Sequence, residues 1–262
     1  MSGKDWQKLL KTNRLNPVIH RFSSVDSTND VIKDFLQDSS EQNPVVIALQ
    51  QTQGKGRLDR KWISPIGGLY LSVAIDLRIP AENSPLLVLL VGSACVSSIR
   101  NLTAIDAGLK WPNDILVSDR KVGGILCELV LDSKGNYYVI AGIGINVNTN
   151  MAELPPDVQK ISTNLESTLS IHKLAVHILN GIDSRLITIE GESGIDCILK
   201  EWENLSLTIG RRILVNLGNS TIHGTALGVT EDGALIVKET NGTQTIVDVG
   251  DVEHLHQTDT YY

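Results

Sequence analysis

Apolar residues Val31, Ile32, Phe35 and Leu36 recur with helical spacing behind Asp26-Ser-Thr-Asn-Asp30, a run of helix-capping side chains, and predict a helix over residues 28–37. A short apolar run at 45–50 predicts a strand. The polar, basic, glycine-containing stretch 51–61 predicts a loop, and residues 68–75 a second strand. Ser84-Pro85 supplies an N-cap and an N1 proline ahead of a helix reaching about residue 101. Its apolar core, 86–96, is too short to cross a bilayer and predicts a buried helix. Strand-like runs at 108–111, 124–131 and 137–143 follow in quick succession, and the turn Lys134-Gly-Asn136 favours antiparallel hairpins over a βαβ crossover. Helices resume at 172–190, where Leu174, Ala175, Ile178, Leu179, Ile182 and Leu186 form one stripe, and at 194–203. After Leu205 the texture changes to four short strands, 212–216, 221–227, 234–238 and 244–249. They are separated by turns at 217–219, Asp232-Gly233 and Asn241-Gly242, which supply the positive φ of tight hairpins.

The pattern predicts an α+β fold. A mixed, largely antiparallel sheet packed with helices occupies residues 1–206, and a small all-β barrel residues 207–262. With 42% hydrophobic and 20% charged residues, wholesale disorder, collagen and coiled coil are excluded. A net charge of −7 argues against a broad basic face for DNA or an anionic membrane. The three cysteines, Cys95, Cys127 and Cys197, lie far apart without zinc spacing. They read as reduced thiols of a cytoplasmic protein, two of them buried as small hydrophobes. Residues 1–14 are polar and mixed in charge, unlike a secretory signal.

Candidate chemistry is concentrated in four stretches. In Gln51-Thr-Gln-Gly-Lys-Gly-Arg-Leu-Asp-Arg-Lys-Trp62 the cations Lys55, Arg57, Arg60 and Lys61 face one anion, Asp59. Gly54 and Gly56 let the backbone approach a ligand, which makes either a phosphate or carboxylate cradle or a solvated surface loop. No Walker A pattern is present, and Gly142-Ile-Gly144 opens into Ile-Asn-Val-Asn rather than a helix, so no dinucleotide fingerprint is present either. In Lys110-Trp-Pro-Asn-Asp114 the lysine can meet a phosphate and Asp114 a hydrated Mg²⁺; an Asx-type turn is the plainer alternative. Lys121-Val-Gly-Gly and 141–148 put glycines inside strands, as where a ligand comes close or where a hairpin and a bulge form. Together the four suit an anionic small molecule plus a nucleotide.

Asp26-Ser-Thr-Asn29, Gln51-Thr-Gln-Gly-Lys-Gly-Arg57, Arg60-Lys-Trp62, Lys110-Trp-Pro-Asn-Asp114, Lys121-Val-Gly-Gly-Ile-Leu126 and Gly142-Ile-Gly-Ile-Asn146 together resemble the biotin–protein ligases in order and spacing. The resemblance implies a class II synthetase-like catalytic domain followed by an SH3-like barrel. It implies that biotin is activated with ATP and Mg²⁺ to biotinyl-5′-AMP, then passed to a lysine of the biotin carboxyl carrier protein of acetyl-CoA carboxylase. So little chain precedes Asn16 that the form implied is the monofunctional one, without a DNA-binding domain; a homodimer stays open. Ser27, Thr28, Asn29 and Gln51 are implied to bond the ureido ring. Gly54, Lys55, Gly56 and Arg57 would cover the biotin carboxyl end and the α-phosphate. Lys121 would meet the carboxylate, and Gly124, Leu126 and Gly142 would line the bicyclic ring and tail. Arg60, Trp62 and Asn146 would bind the adenine side, and Lys110, Asn113 and Asp114 the phosphates and the metal. Catalysis would fall to Arg57, Lys110, Lys121 and Asp114.

The family loop reads Gly-Arg-Gly-Arg-x-Gly-Arg. Here Lys55 replaces the first arginine, losing bidentate geometry, and Asp59 replaces the last glycine, where it is expected to hold Arg57 or Arg60 in the empty state. Rival readings are a lipoate or octanoate–protein ligase or transferase, whose linear acyl chain needs no ureido partners, and a biotin-binding sensor without turnover.

Overall fold

The structure, a computed structural model, describes residues 9–38, 42–166, 168–218 and 220–255. Residues 1–8 of the polar N-terminal stretch, and Asn219 in the first predicted C-terminal turn, lie outside these.

Seven strands form a mixed sheet: β1 (Val18–Phe22), β2 (Pro44–Ala48), β3 (Leu69–Asp76), β4 (Ala107–Lys110), β5 (Asp114–Val117), β6 (Arg120–Leu131) and β7 (Tyr137–Ile145). Their spatial order is β1-β2-β3-β7-β6-β5-β4. Only β1 and β2 run parallel, joined by the crossover helix α1 (Thr28–Asp38); every other neighbour is antiparallel.

Side chains alternate across the sheet, so each strand serves two layers. Leu71, Val73, Ile125, Ala141 and Ile143 face α2 (Leu86–Leu102), α4 (Ile171–Ile189) and α5 (Gly194–Leu205) and form the main core. On the opposite face Val46, Ala74, Tyr138 and Ile140 meet Ile32 and Leu36 of α1. A single helix cannot cover that whole face. Beside α1 the same face carries Tyr70, Ser72, Gly124, Leu126, Gly142 and Gly144, brought alongside one another by the register.

After α5 comes a five-stranded antiparallel sheet of β8 (Arg212–Asn216), β9 (Thr221–Val229), β10 (Leu235–Glu239), β11 (Gln244–Val247) and β12 (Asp251–His254), ordered β11-β10-β9-β8-β12. Ile213, Val215, Ala226, Leu235, Val237, Val247 and Val252 are its buried side chains. It docks on the end of the large sheet through Trp111. The Trp111 backbone N–H donates to Thr208 Oγ1 at 3.0 Å, and its indole N–H donates to the Gly233 carbonyl at 3.0 Å. Leu207 sits over Gly108, where a Cβ would come within 2.5 Å of it.

Departures from the expected elements have local causes. The strands β1, β5 and β12, and the six-residue helix α3 (Pro156–Ile161), were not expected: VIHRF, DILV and DVEH are too short and too charged to carry a periodic signal. At the start of α2, Pro85 rather than Ser84 occupies the cap position, with no side-chain cap bond; a 3₁₀ turn at Ala81–Asn83 leads into it. Cys95 is buried and Cys127 half-buried, its thiol pushed up to about 12 by desolvation, while Cys197 is exposed. Among the described residues no helix is long and apolar enough to cross a membrane.

Residues 13–15 are tied to the helical layer by one carboxylate. Asp183 on α4 is 2% exposed and accepts from the backbone N–H groups of Asn13 (3.0 Å), Arg14 (2.8 Å) and Leu15 (2.6 Å). Asp183→Ala strands these donors and is expected to lower stability by about 3 kcal/mol in urea unfolding monitored by circular dichroism. A loss under about 0.5 kcal/mol would mean that water replaces the carboxylate without penalty.

Candidate active site

The uncovered part of the sheet is the floor of a cavity of about 780 Å³, walled by α1, the loop 51–62, the end of β4, α3 and β12. Its shape follows from register. Lys110 and Asp114 face each other across the tight turn Trp111-Pro-Asn113, and Asp114 pairs with Gly124. Since Gly124 has no side chain, Lys121 folds back over it, with Cε 3.4 Å from where a Cβ would stand, and its ammonium reaches Asp114 Oδ1 at 2.6 Å. The same ammonium lies 5.4 Å from the Trp62 ring centroid, within cation–π range.

Next to Gly124 in the sheet comes Gly144, where a Cβ would come within 2.5 Å of Trp62 Nε1; that indole nitrogen is buried and has no hydrogen-bond partner among the described residues. One row further, Gly142 makes room for Asn29, whose Oδ1 lies 2.4 Å from the position a Cβ would take. Ser27, Thr28 and Asn29, all under 5% exposed, enter from the start of α1. Thr28 donates its N–H (2.8 Å) and its hydroxyl (3.0 Å) to Gln51 Oε1, and Gln51 Nε2 donates to Ser64 Oγ at 2.9 Å.

The loop is folded on itself, with Gly56 N–H on the Arg60 carbonyl (2.7 Å) and Trp62 N–H on the Gly54 carbonyl (2.9 Å). Lys55 pairs with Asp30 at 2.6 Å. Arg57 Nη1 donates to Asn113 Oδ1 at 3.3 Å, and Asn113 Nδ2 to the Ile125 carbonyl at 2.8 Å. Burial pushes the pKa of Arg57 down against the raising effect of Asp251 and Asp114. Lys110 is likewise pushed down by burial, against the pull of Asp114, Glu253 and Asp251. Asn146 lines the cavity, yet its Nδ2 is committed to the Thr163 carbonyl at 3.1 Å.

All the site residues expected from the sequence line this one cavity except Gly54, which stands behind its wall, packed against the Trp62 carbonyl and Ser64. The expected hold of Asp59 on Arg57 or Arg60 is not observed. Arg60 forms a bidentate pair with Asp251 of β12 (Nη1 to Oδ1, 3.2 Å), and Arg57 takes Asn113. Asp59 instead stands in the left-handed region at φ 58°, next to Leu58 at φ 53°, a backbone shape that suits the glycine it replaces. Sequence reasoning missed Ser72 and Glu128, although strand alternation could have found them, since Ser72 faces Gly142 and Glu128 lies two residues beyond Leu126. The β12 residues Asp251–His254 carried no local signal at all.

Residues 22–146 match the biotin/lipoate A/B protein ligase family, and residues 208–255 match the biotin protein ligase C-terminal domain. The bifunctional ligase/repressor BirA of Bacillus subtilis is 31% identical over 242 residues, covering 90% of this chain and 74% of that protein. The chain belongs to the biotin protein ligase family. The biotin--[acetyl-CoA-carboxylase] ligase of Mycobacterium tuberculosis is 30% identical over 236 residues, covering 87% of this chain and 86% of that one. The biotin protein ligase from Aquifex aeolicus in complex with biotin and ATP superposes with a TM-score of 0.78 at 28% identity, over 90% of this chain and 99% of its own. Family membership makes this chain a ligase, and its α+β architecture is that of the family.

Asp59→Gly widens the backbone conformations open to the loop and is expected to speed its closing, followed by stopped-flow Trp62 fluorescence on mixing with biotin. Unchanged rates would mean that the 58–59 backbone does not limit the motion.

Proposed function

We propose that this ligase activates biotin with ATP to biotinyl-5′-AMP and transfers the biotinyl group to a lysine of a biotin carboxyl carrier protein, in the cytoplasm. One observation carries the reading: a single cavity holds a buried hydroxyl–amide cluster at one end and Arg57, Lys110 and Lys121 at the other. A ureido ring offers two N–H donors and one carbonyl, which Ser27, Thr28, Asn29 and Gln51 can satisfy. A lipoyl or octanoyl chain has no polar groups at that end to meet Ser27, Thr28, Asn29 and Gln51, so it forgoes the hydrogen bonds a ureido ring gains there.

In the first step a biotin carboxylate oxygen forms a bond to the α-phosphorus of ATP, and the bond to the β-phosphate bridging oxygen breaks, releasing pyrophosphate. Carboxylate and triphosphate repel each other, so the step needs positive charge in a partly dehydrated place. Lys121 meets the carboxylate, Arg57 and Lys110 the phosphate oxygens, and the loop 51–62 excludes water from the mixed anhydride. Among the described residues no group of three or more His, Cys, Asp or Glu forms a metal cage, and Asp114 stands beside the lysines. Asp114 would hold a Mg²⁺ beside the ATP phosphates, where the ion would neutralise phosphate charge. In the second step the carrier lysine amine attacks the acyl carbon. The acyl–oxygen bond breaks, AMP leaves with the electron pair, and the nitrogen loses a proton. Asp114 can accept that proton only while it is not holding the metal, which would lower its basicity.

Labelled biotin should pass to a carrier domain with ATP and not without it, while labelled lipoate should not. Lys121→Ala is expected to slow biotin-dependent pyrophosphate exchange at least about 100-fold, and a near-normal rate would remove Lys121 from the site. Arg57→Gly should release biotinyl-AMP into solution; none detected would mean the loop does not cover it. Because burial lowers the pKa of Lys110, its positive charge is present below that value and lost above it. kcat/KM for ATP should therefore fall with rising pH before the usual lysine value of about 10.4, and Lys110→Arg should remove that fall.

A further inference from the structure

Asn29 is 3% exposed, and its amide is gripped from two sides. Nδ2 donates to Glu128 Oε2 at 2.6 Å, and Oδ1 accepts from Ser72 Oγ at 2.6 Å while lying against the backbone of Gly142. Glu128 Oε1 in turn takes Lys33 Nζ at 2.8 Å, one turn along α1 from Asn29. A carboxylate paired with a lysine only accepts, so the amide must turn its NH₂ towards Glu128 and its carbonyl towards Ser72. The Thr28 hydroxyl donates to Gln51, so Thr28 Oγ1 (2.6 Å) and Asn29 Oδ1 compete for the single Ser72 proton, and the Glu128 carboxylate alone decides which end of the amide faces it. Glu128 is not among the residues lining the cavity, and Ser72 is fully buried beneath it.

We propose that Glu128, held by Lys33, is the positioning residue that fixes which end of the Asn29 amide reads the ligand. Asn29 Oδ1 thereby stays an acceptor for a ureido N–H. This rests on the reading that Asn29 meets the biotin ring. Glu128→Gln keeps size and shape but offers an amide of its own, which pairs with either end of Asn29 and removes the preference.

The test is a double-mutant cycle on the full chain: wild type, Glu128→Gln, Asn29→Ala and the double variant. KM for biotin and for ATP are measured in carrier biotinylation, and the Asn29 side-chain amide is followed by ¹H–¹⁵N NMR without ligand. Glu128→Gln is expected to raise KM for biotin about tenfold, leave KM for ATP and kcat near wild type, and shift or broaden the Asn29 amide pair. In the Asn29→Ala background it should add less than about twofold, since its effect passes through Asn29. Losses that multiply in the double variant, an equal rise in KM for ATP, or an unmoved Asn29 amide would overturn the positioning role alone. Wild-type chain that binds no biotin would overturn the reading of the site, and this role with it.

Discussion

Holding like charges together is the constraint on which the rest of the molecule turns. The chain carries −7 overall, yet one cavity collects Lys55, Arg57, Arg60, Lys110 and Lys121. Four of these cations are occupied by the protein's own groups: Lys121 by Asp114, Arg60 by Asp251, Lys55 by Asp30 and Arg57 by the Asn113 amide. Lys110 and Arg57 are half-dehydrated and lose some of their hold on a proton. In the reaction proposed, an anionic ligand would exchange partners rather than enter a field of bare charge. The energy gained is a difference between two sets of ion pairs, largest where water is excluded.

The fold supplies that arrangement through the sheet. One face is filled by three helices and the main core, which leaves the other free to carry α1 on one half and the cavity on the rest. Glycines at 124, 142 and 144, adjacent across β6 and β7, lower the floor so that Lys121, Asn29 and Trp62 can lie across it. The C-terminal sheet, anchored through Trp111, reaches back with Asp251 to hold the ligand loop. The two parts of the chain thus meet at Arg60.

Much of this was legible in the sequence, and the reason differs by element. Helix α1 and the stripe on α4 carry strong 3.6-residue periodicity, so both were placed within a residue or two. The glycine-in-strand segments pointed to close approach, but which side chain approached them is a matter of register, which a local pattern does not encode. β1, β5 and β12 are four or five residues long and too charged to announce themselves. With β12 went the contact between Arg60 and Asp251, 191 residues apart, and with it the partner wrongly assigned to Asp59. Ser72 and Glu128 lie behind the residues that line the cavity, where strand alternation was the only signal.

The most direct measurement is a crystal structure of this chain with a non-hydrolysable biotinyl-AMP analogue. The Lys121–Asp114 pair should be broken, with the Lys121 ammonium at the acyl–phosphate linkage, Arg57 on the same phosphate and the ureido ring against Asn29. A bound analogue with the Lys121–Asp114 contact still near 2.6 Å, and the linkage turned away from Arg57, would contradict the exchange of ion pairs.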